Sequence, residues 1–153
     1  MGFRVTEVMS GTHERCDGQG PRGPRPFAFR VTWGPDRLID WANPASDRFL
    51  WQPLEGEVSA GGLCDGWAPC RGTLALEYFG RRRIRYELDF EAPGGVLRFV
   101  GEKVNIRPWN LLVSHTTCTG TITELATGRL VSSAVVTFRL RDLPRLLLST
   151  RWA

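Results

Sequence analysis

Of the 20 Lys and Arg residues in this chain only Lys103 is a lysine, and strand parity sets it among apolar neighbours. Successive side chains of a strand face opposite sides of the sheet. In the run Val96-Leu97-Arg98-Phe99-Val100-Gly101-Glu102-Lys103-Val104, Leu97, Phe99, Gly101 and Lys103 therefore share one face, and Arg98, Val100 and Glu102 share the other. The face with Leu97 and Phe99 is the expected interior, so the lysine points inward. The same parity groups Phe3, Val5, Glu7 and Met9 and turns Glu7 inward. A buried ammonium without a partner costs several kcal/mol, which makes Glu7 and Lys103 a candidate internal ion pair. Two readings follow. Either residue could be a general acid or base tuned by burial, or an electrophilic anchor for a substrate carbonyl. Alternatively they form a satisfied structural pair, or snorkel at a rim.

His115, in Leu-Val-Ser-His-Thr-Thr, titrates near neutrality and is the third catalytic candidate, although the parity of its strand is ambiguous. The six tryptophans are Trp33, Trp41, Trp51, Trp67, Trp109 and Trp152. Trp33 is expected in the core, and Trp41, Trp51 and Trp67 are candidates for the rim of a hydrophobic ligand site, where indoles offer large rigid area and one donor each. Phe29, Tyr86, Phe99 and Phe138 complete the expected ligand-contacting set. No Ser-His-Asp order, nucleophile elbow, glycine-rich phosphate loop or His-Glu-x-x-His is present, which removes the usual support for hydrolase, nucleotide-binding and metalloprotease readings. Cys16, Cys64, Cys70 and Cys118 lack zinc spacing, so no metal site is expected and free, partly buried thiols are the better reading. No cofactor is expected either.

The elements that must position these residues are strands. Residues 3–9 and 27–33 alternate with period two, residues 35–42 suggest a short helix that caps something else, and residues 54–60 form another strand. Five further runs follow: 72–79, 82–90, 96–104, 113–125 and 129–140. Turn residues such as Pro93-Gly94-Gly95 and Ala126-Thr127-Gly128 separate them. Residues 11–26 and 61–69 are predicted as long loops, the former rich in Gly and Pro. Asp142 can cap a short C-terminal helix ending near residue 150. About eight antiparallel strands with scarcely any helix, joined by hairpins, predict one all-β domain over residues 1–153: a closed up-and-down barrel of lipocalin or calycin type. Its interior mixes aromatics with small residues such as Gly101 and Ala134, an uneven lining that suits an occupied cavity, while a dry filled barrel remains the alternative.

The 153 residues are 42% hydrophobic and 24% charged, which fits one ordinary globular domain. No apolar run approaches the ~18 residues of a membrane span, and residues 1–11 lack the apolar stretch of a secretory signal, so the chain reads as cytoplasmic. The formal charge of +4 is spread along the chain. Its densest cluster, Arg81-Arg82-Arg83-Ile84-Arg85, lacks aromatic interleaving and reads as a solvated hairpin rim rather than a nucleic-acid patch.

The pattern Phe3-x-x-Thr6-Glu7-x-Met9-Ser10-Gly11, then Tyr86-x-Leu88-x-Phe90, Gly101-x-Lys103 and Thr116-Thr117, resembles the lipocalin-like modules found beside or fused to bacterial GMC flavoprotein oxidoreductases of the cholesterol-oxidase type. The resemblance implies a closed β-barrel and a hydrophobic, steroid-like or polyketide-like ligand. It brings no catalytic residue set, and His115 stands where that pattern commonly has Asp. Two functions are therefore expected. One is a cofactor-free cyclase or isomerase of natural product biosynthesis, folding a polyketide, terpenoid or steroid-like substrate inside the barrel. The other is a non-catalytic lipophile carrier or accessory module for a partner oxidoreductase. A second copy of the chain is the other protein partner this reading allows.

Overall fold

The alternation seen in the sequence becomes a closed antiparallel barrel in the computed structural model, which describes residues 2–20, 22–77, 82–104, 117–138 and 151–152. Its strands are β1 (Phe3–Arg15), β2 (Pro24–Trp33), β3 (Trp51–Ala60), β4 (Trp67–Glu77), β5 (Arg83–Ala92), β6 (Gly95–Lys103), β7 (Thr117–Glu124), β8 (Leu130–Thr137) and β9 (Arg151–Trp152). Each of β1 to β7 pairs with the next, and β8 returns to β1 through the register Ser10↔Thr137 to Arg15↔Ser132, so eight strands close the wall. The start of β1 parts from β8 and pairs instead with the short β9, Phe3 opposite Trp152.

Closure gives every strand one wet and one dry face, and the parity read from the sequence holds on β6: Leu97, Phe99 and Lys103 are buried while Arg98 and Glu102 are partly exposed. The outer wall of β4 to β6 is laced with ion pairs. Arg83 bridges Glu77 and Glu102, and Arg98 makes a two-pronged contact with Asp89 at 2.7 and 2.8 Å. The densest basic cluster thus spends at least Arg83 on neighbouring carboxylates, as a solvated rim does.

Two predicted loops shorten. Within residues 11–26, β1 continues to Arg15 and β2 begins at Pro24, with Glu14 opposite Pro24. Gly11, the first residue of that predicted loop, serves strand packing, since a Cβ there would lie 2.0 Å from the Val135 carbonyl oxygen of β8. Within 61–69, β4 already starts at Trp67, opposite Ser59. The helix expected over 35–42 is the single turn α1 (Leu38–Trp41). The expected C-terminal helix lies outside the described residues.

Rings fill much of the interior. Phe99 packs against Phe27 at 5.1 Å and Phe29 at 5.8 Å between centroids, and Phe29 leans on Tyr86 at 5.7 Å. The small residue at Gly101 leaves no void here: a Cβ would fall 2.4 Å from Phe99 Cζ and 2.6 Å from Cys118 Sγ, so the ring and the thiol occupy its place. At this point the uneven lining is filled by its neighbours and is not a cavity.

Candidate functional site

β1, β5 and β6 are not all adjacent in the wall, yet their inward side chains meet across the lumen. Lys103 Nζ donates to Glu7 Oε1 at 2.9 Å, and the Tyr86 hydroxyl donates to Glu7 Oε2 at 2.8 Å. The ammonium also lies 5.2 Å from the Tyr86 ring centroid, within cation–π range. Lys103 is 4% exposed and Glu7 7%, so pairing is what makes either charge tolerable there.

Burial alone would raise the Glu7 carboxyl. The Lys103 charge, hydrogen bonds from Lys103 and Tyr86, and the nearby Trp33 indole reverse this and hold it below its ordinary value. Glu7 is therefore an anion with both oxygens engaged and a poor proton acceptor. Burial, then the Glu7 charge, push the Tyr86 phenol well above its usual range, which keeps it a donor. Beside them the Cys118 thiol is pushed up to about 12, chiefly by burial, and stays neutral. The Trp33 indole N–H is buried and, although close enough to favour the Glu7 anion, makes no hydrogen bond of ordinary geometry.

Above this cluster the rings continue outward. Phe3 stands edge-on to Trp33 at 5.7 Å and to Trp41 of α1 at 5.9 Å, so the one-turn helix lays its indole over this end of the barrel. Trp41 Nε1 is also buried without a partner. Trp51 shares a surface groove with Trp41, Pro35 and Pro53, and the Arg48 guanidinium covers its ring at 5.5 Å.

The structure thus brings together Glu7, Lys103, Tyr86, Phe29 and Phe99 from the predicted set, with Trp41 linked to them through Phe3 and Trp33. Phe138, just past β8, packs partly buried against the core. Trp67 is elsewhere: it faces outward at the start of β4, 45% exposed, with Arg30 5.4 Å from its ring. His115 lies outside the described residues.

Sequence reasoning missed a second buried polar cluster. His13 Nε2 donates to the Gly61 carbonyl oxygen at 2.8 Å, which leaves Nδ1 to accept from the Ser132 hydroxyl at 3.1 Å. Its ring stands edge-on to Phe27 at 6.1 Å. The available signal was the parity Glu7, Met9, Gly11, His13, had β1 been carried past Gly11.

Among the described residues no group of three His, Cys, Asp or Glu side chains could hold a metal ion, and no helix is long and apolar enough to cross a membrane. All four cysteines are free thiols. The chain matches no family model, no curated protein and no solved structure. The likeness to GMC-associated modules rests on the motif residues alone.

Proposed function

We propose that the protein binds a polyketide-, terpenoid- or steroid-like molecule at the Trp33 end of its barrel and promotes a cofactor-free isomerisation or cyclisation there. The observation that carries this reading is a lysine held in an aromatic interior by a carboxylate whose two oxygens each already accept a hydrogen bond. Lys103 would be the catalytic residue, its ammonium stabilising negative charge that develops on a ligand oxygen. Glu7 and Tyr86 would hold the ammonium in place. In an isomerisation a proton leaves one carbon of the ligand, would be carried by Glu7 as the carboxylate beside Lys103, and returns to another carbon. In a cyclisation a bond forms within the ligand. Either way the product has the mass of the substrate, and no redox partner is required.

The test is a panel of lipophilic precursors, read by quenching of tryptophan fluorescence and by chromatography for products of unchanged mass. The double variant Lys103→Met/Glu7→Gln removes the charge without stranding a carboxylate. It should keep the fold and lose on the order of 10²–10⁴ in rate. Undiminished turnover in that variant would remove Lys103 from the chemistry, and absence of saturable binding across the panel would remove the reading altogether.

One observation favours the second reading, a lipophile carrier or an accessory module for an oxidoreductase. Glu7 is held below its ordinary value, so the cluster contains no ready base among the described residues. Saturable binding without any turnover would favour it.

A further inference from the structure

We infer that the ligand presents a neutral carbonyl oxygen to Lys103 and the Trp33 indole, and that a free carboxylate is disfavoured at the same place. This rests on the reading of the barrel as a lipophile binder.

An ammonium carries three N–H donors. Among the described residues Lys103 uses one on Glu7, and its other close neighbour is the face of Tyr86. The Trp33 N–H is buried without a hydrogen bond. On the acceptor side both Glu7 oxygens already accept one hydrogen bond each, and the Tyr86 hydroxyl has spent its only hydrogen on one of them. Among the described residues N–H groups of Lys103 and Trp33 are thus left over, and a group that satisfies them must bring an acceptor. A carbonyl oxygen has two lone pairs and can accept from two donors at once.

Net charge then separates the acceptors. Lys103 and Glu7 sum to zero and Tyr86 is neutral. A ligand carboxylate would set two anions around one ammonium in a water-poor site, where like charges cannot both remain ionised at little cost. A ketone, aldehyde or ester oxygen adds no net charge. If such a ligand passes through an enolate, negative charge develops on the very oxygen that Lys103 holds, which joins the binding preference to the proposed chemistry. The other buried cluster offers nothing comparable, since both ring nitrogens of His13 are partnered.

Three fluorescent probes built on one dimethylaminonaphthalene ring test the inference: an acyl form, an alkyl form of the same size, and the ring carboxylate. The acyl probe should bind roughly tenfold more tightly than the alkyl probe, as one good hydrogen bond allows. Its emission should lie at longer wavelength than in a hydrocarbon solvent, the signature of a hydrogen-bonded carbonyl. In Lys103→Met/Glu7→Gln its affinity should drop to that of the alkyl probe and its emission should move to shorter wavelength. Trp33→Phe, which leaves the ion pair intact, should produce a smaller change in the same direction and serves if the double variant does not fold. Equal binding of the acyl and alkyl probes, tighter binding of the carboxylate, or an acyl emission unmoved by these variants would overturn the inference while the binding reading stands. Failure of all three probes to bind would overturn both.

Discussion

The two buried polar clusters of this barrel differ in how completely they are satisfied. Glu7 and His13 sit six residues apart on the same face of β1, so their layers are about 20 Å apart along the strand. A run of touching rings, Phe27, Phe99, Phe29 and Tyr86, connects them. At the His13 end each polar atom meets a complement: Ser132 donates to the imidazole, and the imidazole donates to Gly61. The arrangement is neutral and closed. At the Glu7 end an ion pair is buried, both carboxylate oxygens already accept a hydrogen bond, and N–H donors of Lys103 and Trp33 are left over among the described residues. Closed polar clusters specify a fold. An open one among aromatic rings is where a ligand can add free energy, and the difference separates structural from functional roles for residues of similar burial.

The largest expected effect falls at the Glu7 end, in Lys103→Met. Removing the ammonium leaves Glu7 buried and unpaired, and the expected loss is about 3–5 kcal/mol in chemical denaturation. A second change, Glu7→Gln or Glu7→Leu, should restore most of it, because replacing both partners of a buried pair can be nearly neutral. A single variant as stable as the wild type would mean that the charge pair is not buried in solution, and the contrast between the two ends would fail.

Parity alone brought much of this within reach of the sequence. It set Lys103 beside Phe99 and Glu7 beside Met9, and eight short alternating runs admitted few architectures besides a barrel. Two things stayed hidden for physical reasons. The hydrogen bond from Tyr86 to Glu7 crosses the lumen between strands that are not neighbours, a relation that no local periodicity encodes. His13 falls within the predicted loop 11–26, whose Gly and Pro content, Pro24 and Pro26 included, reads as turn-forming. In a tightly coiled wall Gly11 is required by the close approach of β8, and the two prolines lie at the start of β2. Trp67 was grouped with Trp41 by composition, although the parity of β4, with Ala68 and Cys70 inward, turns it outward.

At the His13 end the expected losses are smaller and depend on pH. Ser132→Ala removes the donor to Nδ1 and should cost about 1–2 kcal/mol. Burial, partly offset by the hydrogen bond to Gly61, holds the His13 imidazole below its ordinary value of 6.5. The unfolded chain therefore binds the proton more readily, and stability contributed by the neutral ring is present above about pH 6.5 and falls as pH drops below it. Glu7 acts in a separate window. Its folded carboxyl titrates below the ordinary 4.5, so its contribution is present above that pH and is lost as pH falls through the folded value. Denaturation midpoints measured from pH 8 to 3 should decline in two stages. His13→Phe should remove the first and Lys103→Met/Glu7→Gln the second. A first stage that survives His13→Phe would assign that proton to another group.

The smallest expected effect on stability is the one that sharpens the comparison most. Trp33→Phe deletes a buried N–H that makes no hydrogen bond of ordinary geometry, so the protein loses some ring contact with Phe3 and a weak electrostatic contact with Glu7. Relief of an unsatisfied donor offsets part of that packing loss, and the net change should stay within about 1 kcal/mol. Binding of a carbonyl-bearing probe should nevertheless weaken. Ser132→Ala is its counterpart at the opposite end: a donor with a partner is removed, stability falls, and probe binding should be unaffected. Denaturation curves and probe titrations on both variants form a crossed pair of measurements. If Trp33→Phe lowers stability as much as Ser132→Ala does and leaves binding untouched, then the Trp33 donor is structural and the open end of the barrel is no more a site than the closed one.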